Sequence, residues 1–126
     1  MSEESARLKG EKLREEMFGA AGMKSYHEAD AFTQPLQDVV TRICFGEVWS
    51  RPQLSPKIRS MLTIAMLVGM SRPNQLKNHV RGAIRNGVTK EEIREILLHA
   101  TIYAGVPAGT DSWQHAADAL KEIGSY

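Results

Sequence analysis

The chain has 126 residues, of which 42% are hydrophobic and 25% charged, a balance typical of a folded globular protein and too apolar for a disordered one. Its 16 Lys and Arg residues against 15 Asp and Glu residues give a net charge of +1, so the composition does not favour nucleic-acid binding. The single cysteine, Cys44, excludes a disulfide scaffold and a CxxC motif, and the longest nearly uncharged run, residues 60–71, is far shorter than the roughly 20 residues of a membrane span.

The hydrophobic pattern predicts helices throughout, because no segment of useful length alternates apolar with polar residues. The first predicted helix covers residues 3–18, with Ala6, Leu13 and Met17 as a thin apolar stripe, and residues 19–27 are predicted to form a loop. The second covers residues 35–48, and Pro35 suits its first helical position. Its predicted inner face consists of Leu36, Val39, Val40, Ile43 and Cys44.

The third predicted helix covers residues 56–70 and is apolar nearly all round, so we expect it at the centre of the fold. Ser55 and Pro56 suit its N-cap and first helical position. The fourth helix follows Ser71-Arg72-Pro73 and ends at Asn86-Gly87, where glycine favours a helix C-terminus.

The fifth predicted helix opens with the capping box Thr89-Lys90-Glu91-Glu92 and runs to Ala104, where Gly105-Val106-Pro107 is expected to stop it. The sixth covers residues 109–123, with Trp113, Ala116, Ala117 and Leu120 facing inward. The pattern thus predicts one all-α domain of about six helices over residues 1–126. Because the third and fifth helices have little polar surface, we expect other copies of the chain to cover them in a homo-oligomer.

Arg59 and Thr63 are polar exceptions on the third helix, and their i, i+4 spacing places them on one face. A buried guanidinium needs a carboxylate from the protein or from a ligand. Alternatively, Arg59 is not buried and its side chain, near the start of the helix, reaches a surface glutamate or solvent. Both interpretations remain open from the periodicity.

His79 lies in the apolar stripe of Leu76, Val80 and Ala83 on the fourth helix, so the pattern places it inward. An inward imidazole is either a satisfied core group or a proton-transfer group. Glu47 lies at the end of the apolar stripe of the second helix. It is either a surface carboxylate or a carboxylate held near a cation. Both alternatives stay open for each residue.

Five arginines could together bind an anionic small molecule: Arg51, Arg59, Arg72, Arg81 and Arg85. The spacing of Arg81 and Arg85 equally fits a solvated helix face, and Tyr103 could offer its phenol to a pocket. The four histidines form no HxxH, HxxxH or HExxH pair, so no metal site is expected. Cys44 is expected to be a small core residue rather than a nucleophile.

Four segments together resemble a known family: GEVWSRP at residues 46–52, RSMLTIAML at 59–67, HVRGAIRNGVTKEEI at 79–93 and YAGVPA at 103–108. The chain resembles the carboxymuconolactone decarboxylase family over essentially residues 10–123, in particular its 4-carboxymuconolactone decarboxylase branch. The resemblance implies an alkyl hydroperoxidase D-like all-α fold, assembled as trimers or hexamers. The redox branch of the family carries a Glu, a CxxC pair and a His on two consecutive helices. When the chain is aligned on His79, Arg72 and Gln75 fall at the cysteine positions and Arg59 near the Glu, so thiol-peroxidase activity is not expected.

The resemblance implies a carboxy-lyase that converts 4-carboxymuconolactone to an oxoadipate enol-lactone in protocatechuate catabolism. No cofactor is implied, because the lactone ring itself accepts the electron pair. The resemblance and inward placement nominate His79 as proton donor or enolate stabiliser, Arg59 and Arg51 as carboxylate ligands, and Glu47 as the residue that orients His79 or an arginine. Tyr103 and Arg72 complete the nominated substrate-binding residues.

The alternatives to this function are a paralogue acting on another small carboxylated or lactone substrate, and a non-catalytic helical oligomer that binds a small acid. The charged N-terminus is unlike a signal peptide, so we expect a cytoplasmic protein with no nucleic-acid or membrane partner.

Overall fold

The computed structural model describes residues 1–126, and all of its regular elements are helical. The seven α-helices are α1 (Glu3–Gly22), α2 (Lys24–His27), α3 (Gln34–Asp38), α4 (Pro56–Met70), α5 (Pro73–Arg85), α6 (Lys90–Ala104) and α7 (Val106–Glu122). A π-helical segment, Val39–Trp49, continues α3. The all-α prediction is confirmed, and the predicted third and fifth helices correspond to α4 and α6. The chain consists of two compact units, Met1–Pro56 and Lys57–Tyr126, and the single domain over residues 1–126 stays a prediction.

The loop predicted for residues 19–27 is wrong. Helix α1 continues to Gly22 across a kink at Gly19, and Lys24–His27 form the additional short helix α2. The kink has a φ of 71° at Gly19, a conformation that glycine adopts at little cost because it lacks a β-carbon. The chain therefore bends at this glycine, and a further helical turn follows where the sequence indicated the end of the helix.

In the first unit, the backbones of α1 and the π-helical segment touch at two glycines. A β-carbon added at Gly10 would lie 1.8 Å from the carbonyl oxygen of Thr41, and one added at Gly46 would lie 2.1 Å from the carbonyl oxygen of Ala6. Real β-carbons essentially never approach so closely. The two glycines therefore permit the close approach of these elements.

The predicted inner face of the second helix is wrong in part. Leu36, Val39 and Ile43 are exposed in the chain, whereas Val40 and Cys44 are half-buried. The π-helical segment instead buries Thr41, Phe45, Gly46 and Trp49. A π-helix has i→i+5 backbone hydrogen bonds and a wider turn than an α-helix, so its inward face does not follow the α-helical period on which the prediction depended.

Arg14 is the buried charged group of the first unit. Its Nη1 donates hydrogen bonds to Gln37 Oε1 at 3.0 Å and to Thr41 Oγ1 at 2.8 Å. Its guanidinium carbon lies 5.5 Å from the centroid of the Tyr26 ring. Burial lowers the pKa of Arg14. Two neutral acceptors and an aromatic face thus hold this cation at the interface of α1 and the π-helical segment.

In the second unit, the four helices α4 to α7 share one apolar core. Its buried residues are Ile64, Val68, Leu76, Val80, Ala83, Val88, Ile93, Leu97, Ala100, Ala116, Ala119 and Leu120. Helix α4 buries only one face of its apolar surface, because Leu62, Met66 and Met70 on the same helix are exposed. Helix α4 thus contributes Ile64 and Val68 to the core but leaves its other face exposed in the single chain, and the oligomer that would cover this face stays a prediction.

Local signals in the sequence set the helix ends of the second unit. The capping box is confirmed, since Thr89 Oγ1 accepts from the Glu92 amide and Glu92 Oε1 accepts from the Thr89 amide, both at 3.0 Å. Gly87 follows α5 with a φ of 92°, as glycine at that position predicts. The predicted end of the fifth helix at Ala104 is confirmed. Helix α7 begins at Val106, three residues before the predicted start at Gly109, with Pro107 in its first turn.

Candidate active site

His79 lies on α5 between the buried residues Leu76 and Val80, with its side chain half-buried. Its Nδ1 atom is inaccessible to solvent. Burial lowers the pKa of His79 to about 4, because the charged imidazolium loses its hydration. At neutral pH the ring is therefore neutral, with one nitrogen as a hydrogen-bond donor and the other as an acceptor.

Arg59 lies on α4 as a half-buried residue with its Nε buried. The Thr63 hydroxyl donates to the carbonyl oxygen of Arg59 at 2.8 Å, so the predicted shared face of these two residues is present. The neighbouring Ser60 is fully buried, and its Oγ accepts a hydrogen bond from Asn86 Nδ2 at 3.0 Å. Because Asn86 directly follows α5, this bond ties the helix that carries Arg59 to the helix that carries His79.

The two other nominated residues of the second unit are on the surface. Arg72 is exposed immediately before α5. Tyr103 is 82% exposed, and its ring stacks on His99 with 5.0 Å between the centroids. Burial in the single chain thus singles out His79 and Arg59 among the nominated residues of this unit, whereas Arg72 and Tyr103 are accessible from solvent.

An open apolar groove of about 610 Å³ also lies in the second unit, between α4 and the N-terminal half of α6. Its apolar wall includes Met61, Leu62 and Ile96, and its charged residues are Glu91, Glu92, Arg94 and Glu95. Three carboxylates against one guanidinium repel an anion. The groove is therefore electrostatically unsuited to a dicarboxylate, and neither His79 nor Arg59 lines it.

The first unit carries the remaining nominated residues. Glu47 is exposed near the end of the π-helical segment. Arg51 lines a cavity of about 370 Å³, together with two lysines of α1, Lys9 and Lys12. These lysines are not among the site residues predicted from the sequence. The signal available was their i, i+3 spacing, which places them on one helix face, but the sequence contains no information that this face lies beside Arg51.

The Cys44 thiol is half-buried, and burial raises its pKa, which is consistent with the prediction that it is not a nucleophile. The structure contains no group of three or more His, Cys, Asp or Glu side chains that could hold a metal ion. None of the helices combines the length and the apolarity required to cross a lipid bilayer.

Residues 34–122 match the model of the carboxymuconolactone decarboxylase family. The chain belongs to the carboxymuconolactone decarboxylase family. It is 37% identical to a 4-carboxymuconolactone decarboxylase of Acinetobacter baylyi, over 98% of this chain and 93% of the relative. It is 42% identical to a nitrosuccinic acid decarboxylase of Metarhizium robertsii, over 79% of this chain and 70% of the relative. Since both relatives are named as decarboxylases, this member of the carboxymuconolactone decarboxylase family is assigned to the carboxy-lyases.

Proposed function

We propose that this chain catalyses cofactor-independent decarboxylation of 4-carboxymuconolactone to an enol-lactone. The observation that supports this substrate most strongly is the 37% identity to the Acinetobacter baylyi 4-carboxymuconolactone decarboxylase over 98% of the chain. Similarity over nearly the full length covers the segments that bear all six nominated residues, which are Glu47, Arg51, Arg59, Arg72, His79 and Tyr103.

The proposed reaction needs an acceptor for one electron pair. The bond between the ring carbon and its carboxylate breaks, CO₂ departs, and the electron pair moves through the ring double bond to the lactone carbonyl oxygen. A proton then adds to the ring carbon next to that carbonyl, which gives the enol-lactone. The substrate itself accepts the electrons, so the protein must stabilise an enolate oxygen and supply one proton to carbon.

The burial of His79 favours one of its two predicted roles. With a pKa of about 4, the imidazole is neutral at pH 7 before substrate binds. A neutral imidazole can donate an N–H hydrogen bond to the enolate oxygen, and a fixed donor of this kind contributes about 3 kcal/mol to the transition state. We therefore assign enolate stabilisation to His79, and the proton that adds to the ring carbon comes from water.

The substrate carries a second carboxylate on its acetate arm, and an arginine can bind such a group through two parallel hydrogen bonds. Arg59 is the proposed ligand in the second unit, because it is half-buried and the bond between Ser60 and Asn86 ties its helix to that of His79. Arg51, Arg72 and Tyr103 are proposed as further substrate ligands, and Glu47 as a residue that orients a cation. All four of these residues are exposed in the single chain and therefore accessible to a ligand.

A second candidate substrate is nitrosuccinic acid, because the relative named for it is 42% identical over 100 residues. Nitrosuccinic acid also has two carboxyl groups, and its nitro group can accept the electron pair released with CO₂. Both candidates thus require a cation for the remaining carboxylate and a donor for a developing oxyanion. The same His79 and Arg59 would serve either substrate.

Turnover by the purified protein tests the proposal. With 4-carboxymuconolactone, we expect loss of the lactone absorbance together with stoichiometric release of CO₂ in a metal-free buffer without added cofactor. Nitrosuccinic acid, assayed in parallel by CO₂ release, decides between the two substrates. Saturable binding without CO₂ release from either compound would overturn the decarboxylase proposal in favour of a small-acid-binding protein.

We also propose that the working form is a homotrimer or homohexamer, covered along the exposed apolar face of α4. Leu62, Met66 and Met70 follow one another at four-residue spacing on this face, and Met66 is 62% exposed. An apolar stripe of this kind is typical of an interface. Light scattering coupled to size-exclusion chromatography should give three or six times the chain mass of 14.0 kDa, and a monomer would contradict the proposal.

A further inference from the structure

A solvent-open cavity of about 370 Å³ in the first unit lies between one face of α1 and residues 49–56, which include the end of the π-helical segment and the chain that follows it. Helix α1 contributes Lys9, Lys12, Leu13 and Glu16, and the other wall consists of residues 49–52 and 54–56. Pockets for small molecules begin at about 300 Å³, so the cavity has the size for a compound with a single ring.

The cavity concentrates positive charge. Lys9, Lys12 and Arg51 line it, and Glu16 is the one acidic residue of the lining, so its formal charge is three positive minus one negative, +2. The whole chain carries only +1. A concave surface with one sign of charge raises the local concentration of ions of the opposite sign. The preferred ligand is therefore an anion.

The lining between the charges is apolar and includes an aromatic ring. Leu13, Pro52 and Leu54 line the cavity beside Trp49, which is 8% exposed. Apolar groups of this kind favour a ligand with a hydrophobic ring over a small hydrated ion such as phosphate. Charge and lining together indicate an organic ring that carries carboxylates.

We infer that this cavity binds a small ring compound with two carboxylates, and that Lys9 and Lys12 bind its carboxylates together with Arg51. The cavity contains Arg51 but neither His79 nor Arg59, and only the choice of ligand class rests on the proposed function. The binding itself does not depend on turnover. Lys9 and Lys12 lie outside residues 34–122, which match the family model, and are additional to the nominated residues.

The test uses homophthalate, a stable benzene ring with one carboxylate and one acetate arm. Trp49 is a built-in probe, and the only other tryptophan is Trp113 on α7. In a Trp113→Phe background, titration with homophthalate should change Trp49 fluorescence saturably. Phenylacetate, with the same ring and one negative charge, should bind at least about threefold more weakly, because one charge contact is lost.

Charge variants assign the binding to this cavity. In the same Trp113→Phe background, Lys9→Gln and Lys12→Gln should each weaken homophthalate binding about two- to fivefold, the range expected for single exposed charge contacts, and Glu16→Gln should strengthen it. Lys24→Gln is the matched control, since Lys24 is an exposed lysine on α2 outside the cavity lining. Circular dichroism and thermal unfolding establish that each variant is folded.

The outcomes separate this inference from the proposed function. Homophthalate binding that depends on Lys9 and Lys12, in a protein without decarboxylase turnover, would support the cavity and refute the function. Two results would overturn the inference and leave the function standing, provided that turnover is normal. One is the absence of a fluorescence change with homophthalate. The other is a Lys9→Gln/Lys12→Gln double variant that binds homophthalate as tightly as Lys24→Gln.

Discussion

Gly10 on α1 faces the carbonyl oxygen of Thr41 so closely that a β-carbon at position 10 would lie 1.8 Å from that oxygen. Four residues further along α1, Arg14 Nη1 donates a 2.8 Å hydrogen bond to the hydroxyl of the same Thr41. One residue of the π-helical segment thus receives a backbone contact and a buried side-chain bond from the same helix. The pair of contacts fixes how α1 packs on this segment.

Gly10→Ala should destabilise the protein strongly. The added methyl group meets backbone atoms, which cannot move aside as a flexible side chain can, so we expect the free energy of unfolding to fall by about 3 kcal/mol. Glu15→Ala is the control, because Glu15 is an exposed residue of the same helix, and it should change the free energy of unfolding by no more than about 0.5 kcal/mol. Urea unfolding of both variants decides, and equal effects would contradict the close contact.

Arg14 and Thr41 should be energetically coupled. A hydrogen bond from a charged donor contributes about 1.5–3 kcal/mol, so a double-mutant cycle of Arg14→Ala and Thr41→Val should give a coupling free energy in that range. Arg14→Ala alone should cost more, because it also removes the contacts with Gln37 and the Tyr26 ring. The neighbouring surface change Glu15→Ala should stay within about 0.5 kcal/mol of the wild type. Additive single effects would refute the bond.

His79 should make the protein less stable in acid. Its pKa is about 4 in the folded protein against a usual 6.5, so between these values the unfolded chain binds the proton and the folded chain does not. The neutral His79 therefore contributes to the free energy of unfolding fully above about pH 6.5, and this contribution, about 3 kcal/mol at most, is lost as the pH falls towards 4. Urea unfolding from pH 7 to pH 4 should therefore show a shallower loss of stability in His79→Gln than in the wild type. The control Asn74→Gln, an exposed and non-titratable change on the same helix, should keep the wild-type slope, and parallel curves for His79→Gln and wild type would count against a buried neutral imidazole.

Substitution of the two proposed site residues should affect different kinetic constants with 4-carboxymuconolactone. His79→Ala should lower kcat by about 100-fold or more, the effect of removing a fixed donor to an oxyanion. Arg59→Lys should mainly raise KM, by about tenfold, because an ammonium cannot bind a carboxylate through two parallel hydrogen bonds. Arg94→Lys, a surface change on α6, is the control and should change neither constant. Near-wild-type kcat in His79→Ala, or an unchanged KM in Arg59→Lys, would remove the respective role.

Local signals in the sequence determined much of the helical framework. The Ser55-Pro56 start of α4, the capping box from Thr89 to Glu92 and the glycine at position 87 act within a single turn of chain, so each could be interpreted without knowledge of the rest of the molecule. The inward stripe of α5 was likewise predictable, because a regular α-helix repeats every 3.6 residues. His79 was placed correctly for this reason.

Only the tertiary structure decided which face of the π-helical segment is buried and which cations share the cavity. The first depends on a wider helical turn that the α-helical period does not describe. The second depends on the packing of α1 against a segment some 40 residues away, which brings Lys9 and Lys12 to the cavity that Arg51 lines. The pKa of His79 belongs to the same class, because it depends on how completely the surrounding chain excludes water from the ring. Sequence patterns report contacts within a helix, whereas these properties arise from contacts between segments distant along the chain.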